Sequence, residues 1–399
     1  FFNRLKKDLV DFGEKKVSTE LWDRVEEYWE LSKREKVFPV AEQFTKDELL
    51  DKDKVEAEMC RLINGHDLAY NVFLRRLTGR VVDWCNTHPA QCCAALGINP
   101  HSIDWTYLTE RVCRYGKDCL LFGDLSKEEI VTALPMWESF VTWLAHVMNL
   151  DDDDTEQLQN GLAGLHSYYF IHDAHLYYQM RGHSSGHFLT TLYNSFCVWW
   201  MHKFTYMELV PDAHTSGHTF EEAVPIVVHG DDSFGGVRED KRDAFNMVTI
   251  SQFLKEKFCI KYTCADDKNA EVKPFGPLSQ ATFLGRGFVW DQQRGCYLAP
   301  LRMVAIVDMM IYSAKVGGIS ESEVYRLRVD SAFKELFFWG PDVYDKIRKG
   351  FVKSMEGRKH PVNAPRYKEL KPVLTRNWFH NDYPSSSTTS QTWSERALD

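Results

Sequence analysis

The sequence predicts an α+β fold on three observations: a strand–turn–strand unit at Val224–Val237, a separate apolar strand at Cys119–Phe122, and runs with helical spacing between and beyond them. The strand Cys119-Leu-Leu-Phe122 is followed at once by Gly123 and Asp124. After Lys127, Val131, Leu134, Trp137, Val141, Leu144 and Met148 recur every three or four residues, as on one face of a helix. The acidic run Asp151–Asp154 behind it reads as a solvated loop. A second long helix is expected after Gly186, with Leu189, Leu192, Tyr193 and Phe196 on its apolar side and Thr190 and Asn194 one turn apart. In the hairpin, a mostly β-branched run ends at Gly230-Asp231-Asp232, and Ser233 and Phe234 lead away to Gly235 and Gly236. Gly230 supplies the backbone angles of the turn, which leaves two adjacent carboxylates at its tip. Ser320 with Glu323 predicts a capping-box start, and Pro341 suits the first turn of a further helix, so helices dominate the C-terminal end. From Tyr383 onward the polar, low-complexity composition predicts a flexible tail.

With 399 residues, 44% hydrophobic and 14% aromatic, the chain can bury a large core or two or three packed subdomains. No stretch approaches the ~18–20 apolar residues of a membrane helix, and the start FFNRLKKDLV lacks the apolar centre of a signal peptide, so a soluble protein is expected. A chain beginning at Phe1 rather than Met is expected to be processed from a longer precursor or cut from one. Ten irregularly spaced cysteines point to a reducing compartment rather than a disulfide scaffold. The cluster Cys85, His88, Cys92 and Cys93 carries zinc-type ligands, but so close together in a helix they read as core thiols. A net charge of −9 runs against nucleic-acid binding over the whole surface. Between Asp345 and Arg376, however, ten Lys or Arg face three Asp or Glu, interleaved with Phe351 and Tyr367. That stripe suits either a phosphate backbone or water.

Adjacent Asp residues repel unless water screens them or a cation lies between them. Asp231 and Asp232 alone are compatible with an ordinary solvated turn; the strand ending in Asp124 changes the weighing. Laid beside the hairpin, it would supply oxygen ligands for two Mg²⁺ ions, with Mn²⁺ able to substitute, and such a pair performs phosphoryl transfer.

The order Thr45-Lys-Asp-Glu-Leu49, Asp124 to Glu129, Ser185-Gly186 through Thr190 to Asn194, Gly230-Asp-Asp232, Lys268 and Phe283-Leu-Gly-Arg286 resembles motifs F, A, B, C, D and E of picornavirus-like RNA-dependent RNA polymerases. The resemblance covers Phe38 to Leu301, and Trp290-Asp291 with Tyr297–Leu301 is similar to the insect and marine branches. It implies a right hand: fingers at 1–115 with an incomplete N-terminal part, palm at 116–149, fingers again at 150–184, palm at 185–290, a helical thumb at 291–382 and the tail at 383–399. Asp124, Asp231 and Asp232 would hold the metals. Lys46, Lys54 and Arg61 would hold the triphosphate, Ser185 and Gly186 would form a flexible loop, and Thr190 and Asn194 would read the ribose 2′-hydroxyl. Lys268 would protonate the leaving pyrophosphate. Phe283 and Arg286 would support the primer, and Lys346, Arg348 and Lys349 the template strand.

The chain departs from the family pattern at Glu129, where Asp is usual and where ribose selection would be affected, and at Leu50 and Met59, which replace basic residues. His229 stands where Tyr commonly precedes Gly-Asp-Asp, Gly285 replaces a frequent Lys, and only 45 residues precede Lys46. The implied partners are an RNA template and primer, ribonucleoside triphosphates and other viral replication proteins, in the host cytoplasm at membrane-associated replication complexes. A catalytically inactive RNA-binding remnant and a reverse transcriptase are the alternatives at this stage; comparing ribo- with deoxyribonucleotide incorporation separates the latter.

Overall fold

The computed structural model describes residues 9–11, 16–48, 50, 52–89, 91–92, 94–126, 133–180, 182–215, 217–264, 271–312, 318–357, 362 and 364–374. In chain order come β1 (Val10–Asp11), β2 (Lys16–Val17), α1 (Thr19–Ser32), β3 (Val40–Thr45), α2 (Lys52–Glu56), β4 (Leu62–His66), α3 (Leu68–Thr87) and α4 (Asp104–Val112). There follow β5 (Leu120–Ser126), α5 (Leu134–Met148), α6 (Asp152–Gly161), β6 (Tyr168–His172), β7 (His175–Gln179), α7 (Thr190–Leu209), α8 (Phe220–Ala223), β8 (Ile226–His229) and β9 (Asp232–Gly236). The last elements are α9 (Met247–Phe258), β10 (Lys261–Cys264), β11 (Val289–Asp291), β12 (Cys296–Leu298), α10 (Met303–Ile311), α11 (Glu321–Leu336), α12 (Pro341–Met355) and α13 (Tyr367–Leu374).

Alternation along β5 decides where the cores lie, because successive side chains of a strand leave opposite faces. Leu121 and Leu125 join Ile226, Val228 and Tyr262 in the larger core, with Phe73 of α3, Phe140 of α5, Phe196 of α7 and Leu254 of α9. Leu120 and Phe122 join Val227 and Phe234 on the other face, beneath Trp105 of α4 and Phe283 and Phe288. The sheet between these cores runs β10-β5-β9-β8, antiparallel throughout. Beyond β8, Ala94 makes a parallel bridge to Val228, and the Ala95 amide donates to the Val228 carbonyl at 2.8 Å. That segment covers what would be a bare edge.

A second sheet has the order β4-β3-β6-β7, with β3 and β6 parallel and the other pairs antiparallel. Its outer strand β7 exposes Leu176, Tyr177 and Tyr178. The helices α10 to α13 enclose their own core around Phe333, Leu336, Tyr344 and Phe351. No helix among the described residues is long and apolar enough to cross a membrane.

Several sequence expectations need adjustment. The helix expected after Lys127 begins at Leu134, with Pro135 in its first turn; Val131 lies outside the described residues. The strand before it runs on to Ser126 and so carries Asp124 inside it. Asp151–Asp154 is a helix start rather than a loop: Asp151 caps α6 by accepting from the Asp154 amide at 2.9 Å, and three acids fill the first turn. Acids are favoured there by the free amides and the helix dipole, a preference that a charge count does not reveal. Only half of the expected capping box forms at Ser320, whose hydroxyl accepts from the Glu323 amide at 3.3 Å while the Glu323 carboxylate pairs with Arg326. Pro341 opens α12 as expected. Cys85 and Cys92 are buried with sulfurs 3.6 Å apart; Cys93 lies outside the described residues.

Candidate active site

β5 and β9 are registered so that Asp124 lies directly opposite Asp232. Residues facing each other across a ladder leave the sheet on one face. Here it is the face that buries Phe122 and Phe234, so the two carboxylates emerge where the apolar cover ends. In the neighbouring ladder His229 faces Asp232, leaving Gly230 and Asp231 as a two-residue connection. Gly230 has φ +62°, the glycine-first pattern of a type II′ hairpin turn. Asp124 is buried, Asp232 half-buried, and Asp231 exposed at the tip.

The turn is fastened from two sides. The Gly230 amide donates to the Ser195 hydroxyl of α7 at 2.9 Å, and His229 Nδ1 lies 3.2 Å from the Ala95 carbonyl oxygen. The imidazole that stands in place of a tyrosine thus holds the hairpin to the edge-covering segment. The Ser233 hydroxyl donates to the Gly123 carbonyl at 3.2 Å, fixing the two acid-bearing strands together.

Burial pushes the Asp232 carboxyl up to about 6, and the charges of Asp231 and Asp124 push the same way, against a backbone hydrogen bond from Leu284 and the positive charge of Arg302. An acid raised in this way beside two further carboxylates belongs to a donor set whose repulsion a divalent cation would relieve. Among the described residues no group of three or more His, Cys, Asp or Glu lies close enough to chelate an ion. The carboxylate oxygens fit the donor type and charge that a pair of hard divalent cations takes.

Ser185 and Gly186 lie against β4. The Ser185 hydroxyl accepts from the Asn64 amide at 3.4 Å, and the neighbouring Ser184 hydroxyl is 2.6 Å from His66 Nε2. Gly186 has φ +85°, and a Cβ there would sit 2.1 Å from the Asn64 carbonyl oxygen, so no other residue fits. Thr190 donates to the His187 carbonyl at 2.8 Å and accepts from the His187 amide at 3.2 Å, which commits its proton to the start of α7. Asn194 is the opposite case: its buried side-chain oxygen has no hydrogen-bond partner.

Lys46 and Arg61 meet across the distal end of β3 and β4, where the Lys46 amide donates to the Arg61 carbonyl at 2.9 Å. Both side chains converge on Glu48, and hydrogen bonding from Arg61 holds its carboxyl at about 2. Lys54 is exposed on α2. Phe283 is fully buried, stacked on Trp105 with ring centroids 6.1 Å apart, and so has no surface to offer a strand. Arg286 grips Glu335 of α11 with both terminal nitrogens, at 2.7 and 2.8 Å, and donates to the Ala299 carbonyl at 3.0 Å. These two residues brace the segment beside the acids rather than present a surface. Lys346 and Lys349 are exposed on α12, whereas Arg348 Nε donates to the carbonyls of Ala364 and Pro365. Glu129 and Lys268 lie outside the described residues.

Sequence reasoning passed over Ser195 and Arg302, and it quoted Leu284 only as part of a motif. Ser195 directly follows Asn194 but is a serine inside an apolar helix; nothing along the chain links Leu284 or Arg302 to Asp232.

Comparison with known proteins adds the following. The profile of the family described as "Viral RNA-dependent RNA polymerase" matches residues 2–356. The "Replicase polyprotein" of Drosophila C virus (strain EB) is 25% identical over 351 residues, which covers 84% of this chain and 19% of that polyprotein. The "RNA1 polyprotein" of Tomato ringspot virus (isolate raspberry) is 27% identical over 315 residues, 78% of this chain and 14% of the polyprotein. The chain therefore spans a fifth or less of these relatives. The solved structure of "Sicinivirus 3Dpol RNA dependent RNA polymerase" superimposes with a TM-score of 0.77 at 19% identity, over 94% of this chain and 75% of that one. The likeness establishes the right-hand fold.

Proposed function

The chain belongs to the viral RNA-dependent RNA polymerase family, and from that premise we propose that it catalyses template-directed RNA synthesis, transferring nucleotides from ribonucleoside triphosphates to an RNA 3′ end during viral genome replication. The observation that carries this reading is the pairing of Asp124 with Asp232 across β5 and β9, with Asp231 at the adjoining turn.

In this reading β3, β4, β6 and β7 belong to the fingers, the β10-β5-β9-β8 sheet is the palm floor, and α10 to α13 form the thumb. Asp124, Asp231 and Asp232 would hold two Mg²⁺ ions, with Mn²⁺ as a substitute. Bound there, the ions would lower the pKa of the attacking 3′-hydroxyl and offset charge on the departing pyrophosphate. The bond formed joins the 3′-oxygen to the α-phosphorus, and the bond broken links that phosphorus to the pyrophosphate oxygen. Asn194 supplies the ribose contact, because its orphaned side-chain oxygen is an acceptor waiting for a hydroxyl donor. Thr190 shapes the loop through His187, and Ser185 and Gly186 keep that loop close to β4. Lys46, Lys54 and Arg61 take the triphosphate; for Lys46 and Arg61 this means exchanging Glu48 for phosphate oxygens. Glu129 adds a ribose contact, and Lys268 donates the proton to pyrophosphate.

Lys346 and Lys349 run along the template backbone. The other viral replication proteins are partners, and the site of action is the cytoplasm of the infected cell, at membrane-associated replication complexes. Primer extension on an RNA template is the test: incorporation is expected only with Mg²⁺ or Mn²⁺ and is expected to vanish in Asp231→Ala. Incorporation by that variant at the parental rate would refute the assignment.

A further inference from the structure

Ser195 is fully buried in the second turn of α7, and its hydroxyl both donates and accepts. It donates to the Thr191 carbonyl one turn back at 2.7 Å and accepts the Gly230 amide at 2.9 Å. The Gly230 amide sits at the first position of the hairpin turn, outside the paired residues His229 and Asp232, so the β8–β9 ladder offers it no acceptor. One oxygen of α7 therefore holds the backbone from which Asp231 and Asp232 project. The residue before it is Asn194, whose buried oxygen lacks a partner.

We propose that Ser195 is a positioning residue that couples the ribose-facing turn of α7 to the catalytic hairpin, so that engagement of Asn194 by a ribonucleotide steadies the Gly230–Asp232 turn against Asp124. The proposal rests on the polymerase reading for the identity of the ligand at Asn194. The tether itself is a property of this fold. A helix turn is stiff, because its backbone groups are paired along the axis, so a pull on residue 194 is passed to residue 195 with little loss. The turn is the softer partner: it is two residues long, and Asp231 at its tip is exposed. Removing the Ser195 hydroxyl leaves the Gly230 amide without its acceptor and takes away the tie of the turn to α7.

The decisive measurement is amide hydrogen exchange at Gly230 in the full chain, first without metal or nucleotide. Exchange is expected to be about tenfold faster in Ser195→Ala than in the parent, with the slower rate recovered in Ser195→Thr, which keeps the hydroxyl. Adding a ribonucleoside triphosphate with Mg²⁺ is expected to slow Gly230 exchange in the parent but not in Ser195→Ala or Asn194→Ala. In single-nucleotide incorporation, Ser195→Ala is expected to lower kcat about tenfold with little change in KM and to weaken ribose discrimination. Because the coupling runs through both residues, the Asn194→Ala/Ser195→Ala double variant should discriminate no worse than the poorer single variant. Unchanged Gly230 exchange in Ser195→Ala, or additive losses in the double variant, would overturn the coupling. A parent chain that incorporates nothing would instead sink the polymerase reading, with the metal-free exchange experiment still deciding the tether.

Discussion

Asp232 carries the tension of the site. Its carboxyl is pushed up to about 6 by burial and by two neighbouring acids, so in the absence of metal its charge works against the fold. Replacing it by Asn keeps the shape and removes one of three like charges. In EDTA at neutral pH, Asp232→Asn is expected to stabilise the chain by roughly 1–2 kcal/mol, seen as a higher Tm; added Mg²⁺ or Mn²⁺ is expected to raise the Tm of the parent and to raise that of the variant less. A lower metal-free Tm for the variant would contradict this account. The acids themselves were legible in the sequence, because glycine and paired carboxylates after a β-branched run are local signals. Ser195 and Arg302 were not legible: their relation to the turn depends on which helix or loop crosses the sheet, and no spacing encodes that. Asp151–Asp154 was misread for a different reason, since a run of acids looks the same in a loop and in the first turn of a helix.

At the scale of elements, one ion pair fastens the segment beside the acids to the C-terminal helices. Arg286 and Glu335 are each only 12% exposed and meet in a two-pronged contact, with His101 Nε2 3.1 Å from the same carboxylate. Burial alone would raise the Glu335 carboxyl, but the adjacent His101 imidazole and the Arg286 guanidinium bring it down to about 2. A depressed carboxylate stabilises the fold above its unfolded value of about 4.5, and that contribution is lost as pH falls towards 2. Glu335→Gln strands a buried arginine, so a loss of about 3–5 kcal/mol at pH 7 is expected. The Tm of the parent should fall more steeply than that of the variant between about pH 4.5 and pH 2. Parallel Tm curves over that window would show that the pair contributes nothing. The sequence drew attention to Arg286 but not to its pairing with Glu335, which lies 49 residues away.

For the whole molecule, charge is divided unevenly: a net −9 overall against a basic run on the last helices. Lys346 and Lys349 face solvent on α12, whereas Arg348 ties that helix to Ala364 and Pro365. The double variant Lys346→Ala/Lys349→Ala should therefore weaken binding of all single-stranded templates about equally and flatten the salt slope by about 1.4. Arg348→Ala should chiefly lower Tm. An unaltered salt slope in the double variant would return the run to an ordinary solvated face. The right-hand fold was legible only through the order of motifs, since strand periodicity reveals a hairpin but not which distant strand lies beside it. That separation sets the tempo at which the protein matures. Ser233 and Gly123, joined across β9 and β5, are 110 residues apart, so the acids cannot assemble until a long loop has closed. On refolding from denaturant, Mn²⁺ binding should return with the slowest kinetic phase, well after helical circular dichroism has recovered. A newly made chain is therefore expected to hold most of its helices before its three acids can gather around an ion.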